Sequence, residues 1–165
     1  MKTRPQKIGN KLLIGRHEWC QLPDLNLSAI KAKIDTGAKT SAIHAFNIKS
    51  FYKKRTKYVN FDIYPIQGNK IVFVNCTKRV FDERYVMSSN GHKEYRFVIQ
   101  TLLKLADCIW QIELTLSNRD PLRFRMLLGL QALKNRVLID PNITCNQQKF
   151  IASPSFVLIT HKSSR

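Results

Sequence analysis

The chain carries the stretch Ala32-Lys33-Ile34-Asp35-Thr36-Gly37-Ala38-Lys39-Thr40-Ser41. The apolar positions before Asp35 predict a strand that delivers one carboxylate into a tight turn, where Gly37 leaves room for another backbone to approach. Thr36 and Thr40 supply hydroxyls that can hold such a turn through hydrogen bonds to the backbone. The pattern therefore indicates a carboxylate that is held in place and open to solvent on one side. A turn with a purely structural role is the alternative, since three common residues also occur together by chance.

A second informative stretch is Phe124-Arg125-Met126-Leu127-Leu128-Gly129, which precedes a predicted short helix at residues 130–133. Between the two stretches, Val86-Met87-Ser88-Ser89-Asn90-Gly91-His92 has the turn residues of a hairpin, which would cover a cleft as a flap. The order of turn, flap, two leucines, glycine and helix matches the layout of retropepsin-like aspartic proteases. We therefore predict an all-β fold, a retropepsin-like acid protease barrel protomer with a flap hairpin and one short helix.

Short apolar runs separated by turn residues extend through most of the chain and predict many strands. The candidate strands are residues 12–15, 27–34, 58–64, 71–75, 84–87, 95–103, 109–116, 124–128 and 156–160. A basic N-terminal arm at residues 1–10 precedes the retropepsin-like domain, which we place at residues 11–152. Residues 153–165 are predicted to form a C-terminal strand and tail.

The charge of the chain is far from balanced. Its 165 residues include 28 Lys and Arg but only 11 Asp and Glu, which gives a formal net charge of +17. Such a charge favours acidic partners, among them nucleic acid, ribosomes, anionic lipid and acidic polypeptides. Residues 49–58 combine five basic side chains with Phe51, Tyr52 and Tyr58, a composition that can grip phosphates and stack on bases. The alternative is a solvated basic loop whose aromatic side chains pack onto the core.

The four cysteines are widely separated and form no Cys-x-x-Cys pair, so we expect free thiols in a reducing compartment. The apolar run Leu12-Leu13-Ile14 is too short for a signal peptide. No apolar run approaches the ~18 residues that a membrane span needs. We therefore expect a cytoplasmic protein with no membrane association.

Several motifs together resemble one bacterial family more closely than they resemble retropepsins in general. They are Gly15-Arg16-His17-Glu18-Trp19, Leu22-Pro23-Asp24-Leu25, residues 30–42, residues 88–94, Ile112-Glu113-Leu114-Thr115-Leu116 and residues 123–129. This is the RimK-associated retropepsin-like aspartic protease family, whose members are often labelled ATP-dependent zinc proteases. The likeness runs from about Ile14 to Asp140. It implies that the catalytic aspartate lies in the Asp35 turn, and that the gene neighbours encode ligases that add glutamates to protein termini.

The resemblance has two departures. Family members prefer Arg after the glycine of the Leu-Leu-Gly motif, whereas this chain has Leu130. Viral retropepsins place an acid at the position of Lys39, paired with an arginine where Leu130 stands. Because neither partner of that ion pair is present, we expect a dimer that is weaker than the viral one or held differently.

One Asp-Thr-Gly turn per chain predicts a homodimer, because the chemistry needs two carboxylates that share one proton. We assign catalysis to Asp35 of each protomer, braced by Thr36 and Gly37. The residues predicted to line the flap and cleft and bind substrate are Ala38, Ser88, Ser89, Asn90, Gly91 and His92. The residues predicted to support the site structurally are Thr40, Leu127, Leu128 and Gly129.

The zinc and ATP of the family label have little support in these residues, so we predict no metal and no cofactor. The sequence contains no His-Glu-x-x-His, and the nearest zinc candidate is His17-x-x-Cys20. It also contains no glycine-rich phosphate-binding loop.

The predicted function is an aspartic endopeptidase whose substrates are polypeptides, including acidic or glutamylated proteins associated with the ribosome. A basic face would concentrate such substrates. Two alternatives stay open. One is an inactive retropepsin-like module that binds RNA, ribosomes or acidic protein tails, and the other is a zinc metallopeptidase.

Overall fold

A computed structural model describes residues 5–66, 68–88, 90–118, 123–147 and 159–160. The strands are β1 Lys7–Ile8, β2 Lys11–Ile14, β3 His17–Leu22, β4 Leu27–Ile34, β5 Ser41–His44, β6 Phe46–Lys53, β7 Thr56–Ile63, β8 Val72–Arg79, β9 Asp82–Met87, β10 Lys93–Leu105, β11 Cys108–Ser117, β12 Met126–Leu128, β13 Val137–Ile139 and β14 Ile159–Thr160. The α-helix α1 spans Leu130–Leu133. The predicted all-β class with one short helix is confirmed.

The largest sheet has seven strands in the order β11-β5-β12-β4-β3-β10-β9. An additional antiparallel pairing joins β10 to β11, so that six of these strands form a closed circuit of pairings. The short strand β12 lies between β4, to which it is parallel, and β5, to which it is antiparallel. Because β4 and β5 flank the Asp35 turn, this strand order places the Leu-Leu-Gly segment directly beneath the turn.

Two smaller sheets accompany the large one. The first has the order β1-β2-β13, and its strand β1 lies inside the predicted N-terminal arm. The second has the order β14-β8-β7-β6, and its strand β14 coincides with part of the predicted C-terminal strand. The remainder of that C-terminal prediction lies outside the described residues. Within the described part of the chain, no helix has the length and apolarity that crossing a membrane requires.

Alternating apolar residues explain why the sequence predicts strand β11. In β11 the side chains of Trp110, Ile112, Leu114 and Leu116 are buried, which is the period-2 pattern of a strand with one face on the core. The four cysteines are free thiols, two of them buried and two half-buried.

The sequence missed β1, β3, β5, β6 and β13. The inward face of β3 includes the fully buried Glu18, so its apolar pattern is interrupted. Most of β6 is exposed on both faces and lacks the pattern altogether. The interpretation of residues 49–58 as a loop packed on the core is wrong. They belong to the β6–β7 hairpin, whose turn places Lys54 and Arg55 at positive φ, and Tyr52 is 71% exposed.

Glu18 holds the segment after β13 against the domain. Its Oε1 accepts hydrogen bonds from the backbone N–H groups of Gly15 at 2.8 Å and Asn146 at 2.8 Å. Its Oε2 accepts a third bond, from the backbone N–H of Gln147 at 3.0 Å. The side-chain amides of Asn146 and Gln147 in turn donate to the carbonyl of Leu13. Three backbone donors therefore offset part of the cost of burying the Glu18 carboxyl.

We expect Glu18→Ala to lower the free energy of unfolding by about 3 kcal/mol, because three N–H groups, two of them buried and one partly buried, lose their acceptor. Burial raises the pKa of Glu18, and the three backbone hydrogen bonds reduce that rise without cancelling it. A carboxyl with a raised pKa in the folded state contributes stability that is fully present below its unfolded pKa and lost as pH rises through the folded pKa. The destabilisation should therefore shrink from acidic to neutral pH in equilibrium urea unfolding. A difference that grows with pH would contradict the raised pKa.

Candidate active site

Asp35 follows directly on β4 and is fixed through its backbone. Its N–H donates to the carbonyl of Leu128 at 2.9 Å, and its own carbonyl accepts the N–H of Ala38 at 3.2 Å, closing a tight turn. The N–H of Gly37 donates to Asp35 Oδ1 at 3.2 Å. The side chain of Asp35 is 31% exposed, while Thr36 and Gly37 are exposed. The turn thus presents a carboxylate that is oriented by the backbone and accessible to solvent.

Lys33 is a neighbour of the carboxylate that sequence reasoning missed. Its Nζ lies 3.5 Å from Asp35 Oδ2, and its side chain is more than half exposed. Lys33 lies on β4 and Asp35 directly after its end. Side chains two positions apart on extended backbone lie on the same face. That spacing was the signal available in the sequence.

The Leu-Leu-Gly segment lies next to the Asp35 turn and is hydrogen-bonded to it and to the residues that follow. The N–H of Gly129 donates to Ser41 Oγ at 3.0 Å. Beyond it, Leu130 N–H donates to the carbonyl of Ala38 at 2.7 Å, and Gln131 N–H donates to the carbonyl of Lys39 at 3.1 Å. The start of α1 is therefore hydrogen-bonded to the segment that follows Asp35.

Gly129 is required by the close approach of the two segments. A Cβ at this position would lie 2.7 Å from the carbonyl carbon of Thr40 and 2.8 Å from the carbonyl oxygens of Ala38 and Thr40. All three are backbone atoms, so no side-chain rotation can relieve the contact. Leu128 beside it is fully buried and Leu127 is half-buried.

The predicted flap is a hairpin formed by β9 and β10. At its turn the N–H of Gly91 donates to the carbonyl of Ser88 at 2.9 Å, and Gly91 has a φ of +79°. Asn90, Gly91 and His92 are exposed and Ser88 is half-buried, whereas Ser89 lies outside the described residues. The contact of these residues with substrate stays a prediction.

Arg84 of β9 is the hairpin residue that reaches the Asp35 segment, and sequence reasoning did not single it out. Its Nη1 donates to Thr40 Oγ1 at 3.5 Å, and its Nη2 lies 3.1 Å from Glu113 Oε2 and 2.8 Å from Asp82 Oδ2. Partial burial alone would lower the pKa of Arg84, but the two carboxylates outweigh it and the pKa lies above its ordinary value. Thr40 also donates to Gln131 Oε1 at 3.4 Å, so it links the hairpin, the turn and α1.

Leu130, which departs from the family pattern, and Lys39, which departs from the viral one, both lie at the surface next to the turn. Lys39 is exposed, and the side chain of Leu130 is 45% exposed. An apolar side chain and a cation therefore stand where viral retropepsins have an ion pair.

The zinc candidate from the sequence does not form a ligand pair. His17 and Cys20 are three positions apart on β3, so their side chains point to opposite faces of the strand. Cys20 is fully buried, and burial raises the pKa of its thiol to about 12. Among the described residues no group of three or more His, Cys, Asp or Glu side chains is arranged to hold a metal ion.

Most of the chain matches a known protein family. Residues 13–150 match the family described as RimB-like, retropepsin-like aspartic endopeptidase RimB. The chain belongs to the RimB-like family. The match confirms, over residues 13–150, the family resemblance that the sequence motifs predicted.

Two curated relatives are similar to the RimB-like chain over much of its length. A protein of Desulfotalea psychrophila named "Probable alpha-L-glutamate ligase" is 48% identical over 135 residues, and one of Shewanella pealeana with the same name is 45% identical over 133 residues. The matches cover 82% and 81% of this chain but only 29% of each relative. The chain thus spans less than a third of the length of these relatives.

A solved structure shares the fold of the RimB-like chain. The crystal structure of Lpg0085 from Legionella pneumophila, a protein of unknown function, matches with a TM-score of 0.66 and 29% identity. The match covers 81% of this chain and 95% of that one.

Proposed function

We propose that this RimB-like chain is an aspartic endopeptidase that acts as a homodimer. The observation that carries the proposal is the Asp35 carboxylate, which accepts the N–H of Gly37 while the Asp35 backbone N–H is bonded to Leu128 and the side chain stays partly open to solvent. Each chain contributes one such turn. Because peptide hydrolysis by this chemistry needs two carboxylates, Asp35 of a second copy completes the site.

In the proposed reaction the two Asp35 carboxyl groups share a single proton, since two acids about 3 Å apart cannot both ionise. The ionised carboxylate takes a proton from a water molecule, whose oxygen attacks the peptide carbonyl carbon. The protonated carboxyl group hydrogen-bonds the developing oxyanion. Collapse of the tetrahedral intermediate breaks the C–N bond, and the leaving amine takes up a proton from the dyad.

Two observations support an acidic substrate, such as a glutamate-bearing protein tail. The net charge of +17 would attract it at a distance. The relatives named as glutamate ligases contain a segment similar to this chain within a much longer protein. A peptidase joined to such a ligase would act on the peptide bonds that the ligase forms. A ribosome-associated protein would suit the same charge, since it lies close to RNA.

The decisive test incubates the chain with a peptide library from acidic to neutral pH and identifies products by mass spectrometry. Asp35→Asn is the matched control, and the wild type alone should generate products. The rate per chain should rise with protein concentration, because dimers form at the expense of monomers. If wild type and control are equally inactive at every pH and concentration, the peptidase proposal is wrong.

The same assay separates the substrate class from the reaction. We expect glutamate-rich peptides to be cut at least about tenfold faster than neutral ones at low salt, with the advantage falling as salt screens the charges. Equal rates that ignore salt would exclude the acidic substrate and leave the peptidase reaction in place.

A further inference from the structure

The outer face of the β6–β7–β8 sheet combines aromatic and basic side chains in register. Phe51 of β6 lies opposite Tyr58 of β7, which in turn lies opposite Arg79 of β8. The rings of Phe51 and Tyr58 are stacked, with centroids 5.8 Å apart and planes inclined by 19°. Lys49 and Lys53 stand two positions to either side of Phe51 on the same strand, and therefore on the same face. We call these five residues the β6–β8 face.

The aromatic side chains of this face are not part of the core. Phe51 is 42% exposed, and β6 is the edge strand of its sheet. The core of the hairpin lies on the opposite face, where Val59 and Phe61 are buried. Tyr58 is half-buried, so the stacked pair presents mainly the ring of Phe51 to solvent. An exposed aromatic ring has a cost in solubility, which a ligand with flat rings would offset.

The cations of this face are available to a ligand. Within the described ranges, no carboxylate lies at ion-pair distance from Lys49, Lys53 or Arg79. Lys57, by contrast, points to the other face, where its Nζ lies 2.6 Å from Glu83. The one acid on the outer face of β7 is Asp62, which is buried. Its carboxylate accepts hydrogen bonds from the side-chain amides of Asn47 at 2.9 Å and Asn75 at 2.6 Å.

The middle of the face also carries hydrogen-bonding groups that are neutral. Asn60, opposite Lys49, donates to Thr77 Oγ1 at 2.8 Å and to Asn75 Oδ1 at 2.9 Å. Thr77 and Asn75 are exposed. This row gives the face polar partners beside the stacked rings, without adding any negative charge that would oppose an anion.

We propose that the β6–β8 face binds single-stranded nucleic acid. Phosphates would pair with Lys49, Lys53 and Arg79, and bases would stack on the rings of Phe51 and Tyr58. An acidic peptide satisfies only the cations, because glutamate has no flat ring to stack. A duplex satisfies only the cations as well, because its bases are stacked on one another inside the helix and leave no face free to stack on the two rings.

The test is fluorescence anisotropy with a labelled oligouridylate of about twelve nucleotides, and it needs no peptidase activity. We expect Phe51→Leu to weaken binding about tenfold, as loss of one stacking platform does. The matched control is Tyr85→Leu, which removes another exposed ring, 65% exposed on β9 but off this face. It should change affinity by less than about twofold.

A second pair of variants tests the cations. Lys53→Gln should reduce the slope of log affinity against log salt by about 0.7, whereas Lys134→Gln, an equal charge change at the end of α1, should leave it unchanged. Both lysines are exposed, so folding is not at risk, and thermal melts will verify this for all four variants. The proposal is overturned if a polyglutamate peptide of equal charge or a duplex binds as tightly as the oligouridylate. Equal losses in Phe51→Leu and Tyr85→Leu would overturn it too.

Discussion

Replacing Asp35 with asparagine should abolish peptide hydrolysis and leave the fold intact. Asparagine Oδ1 can still accept the N–H of Gly37, which lies 3.2 Å from Asp35 Oδ1, so the turn keeps its geometry. The lost ion pair with Lys33 is exposed and contributes about 0.5 kcal/mol at most. An amide cannot take a proton from water, so the rate should fall by about a thousandfold or more. Initial rates and thermal melts of the two purified proteins measure both effects.

Lys33→Gln is the matched control for Asp35→Asn, because it removes the same ion pair and keeps the carboxylate. Its rate should stay within about threefold of wild type, since a surface pair of this kind contributes little. Mixing wild type with an excess of Asp35→Asn should also depress activity, because mixed dimers contain only one carboxylate. A variant Asp35→Asn that cleaves as fast as wild type would mean that Asp35 is structural.

Replacing Gly129 with alanine should destabilise the domain more than replacing Gly91 with alanine. The new Cβ would lie 2.7–2.8 Å from backbone atoms of Ala38 and Thr40, which belong to the segment that follows Asp35. Either the backbone shifts or the segments separate, and both break the bond from Gly129 N–H to Ser41 Oγ. We expect a loss of about 3 kcal/mol in the free energy of unfolding, measured by equilibrium urea denaturation. Peptidase activity should fall with it.

Gly91→Ala is the comparison that isolates the steric effect. Nothing lies within 4 Å of a Cβ at Gly91, so this substitution meets no neighbour, and its cost comes from the positive φ of +79° alone. That cost is about 1 kcal/mol. If Gly129→Ala proved no more destabilising than Gly91→Ala, the inference that a Cβ at position 129 clashes with the segment after Asp35 would be wrong.

Strand β11 shows the apolar alternation by which the sequence predicted it, with Trp110, Ile112 and Leu114 buried on its inner face. Two of the missed strands lack that alternation. Strand β3 buries Glu18, whose acceptors are satisfied by Asn146 and Gln147, and the latter is 129 residues away. Strand β6 buries little on either face. Periodicity reports burial against a core, so it is silent where burial is polar or absent.

The sequence by itself located the Asp35 turn, the hairpin and the Leu-Leu-Gly segment with its helix, because each depends on the chemistry of adjacent residues. Only the tertiary structure decided how they meet. Gly129 bonds to Ser41 across 88 residues, and Arg84 reaches Thr40 across 44. The same holds for the β6–β8 face, where strand register aligns Phe51, Tyr58 and Arg79 in one row. Contacts between distant residues depend on strand order and register, which the local pattern of side chains does not encode.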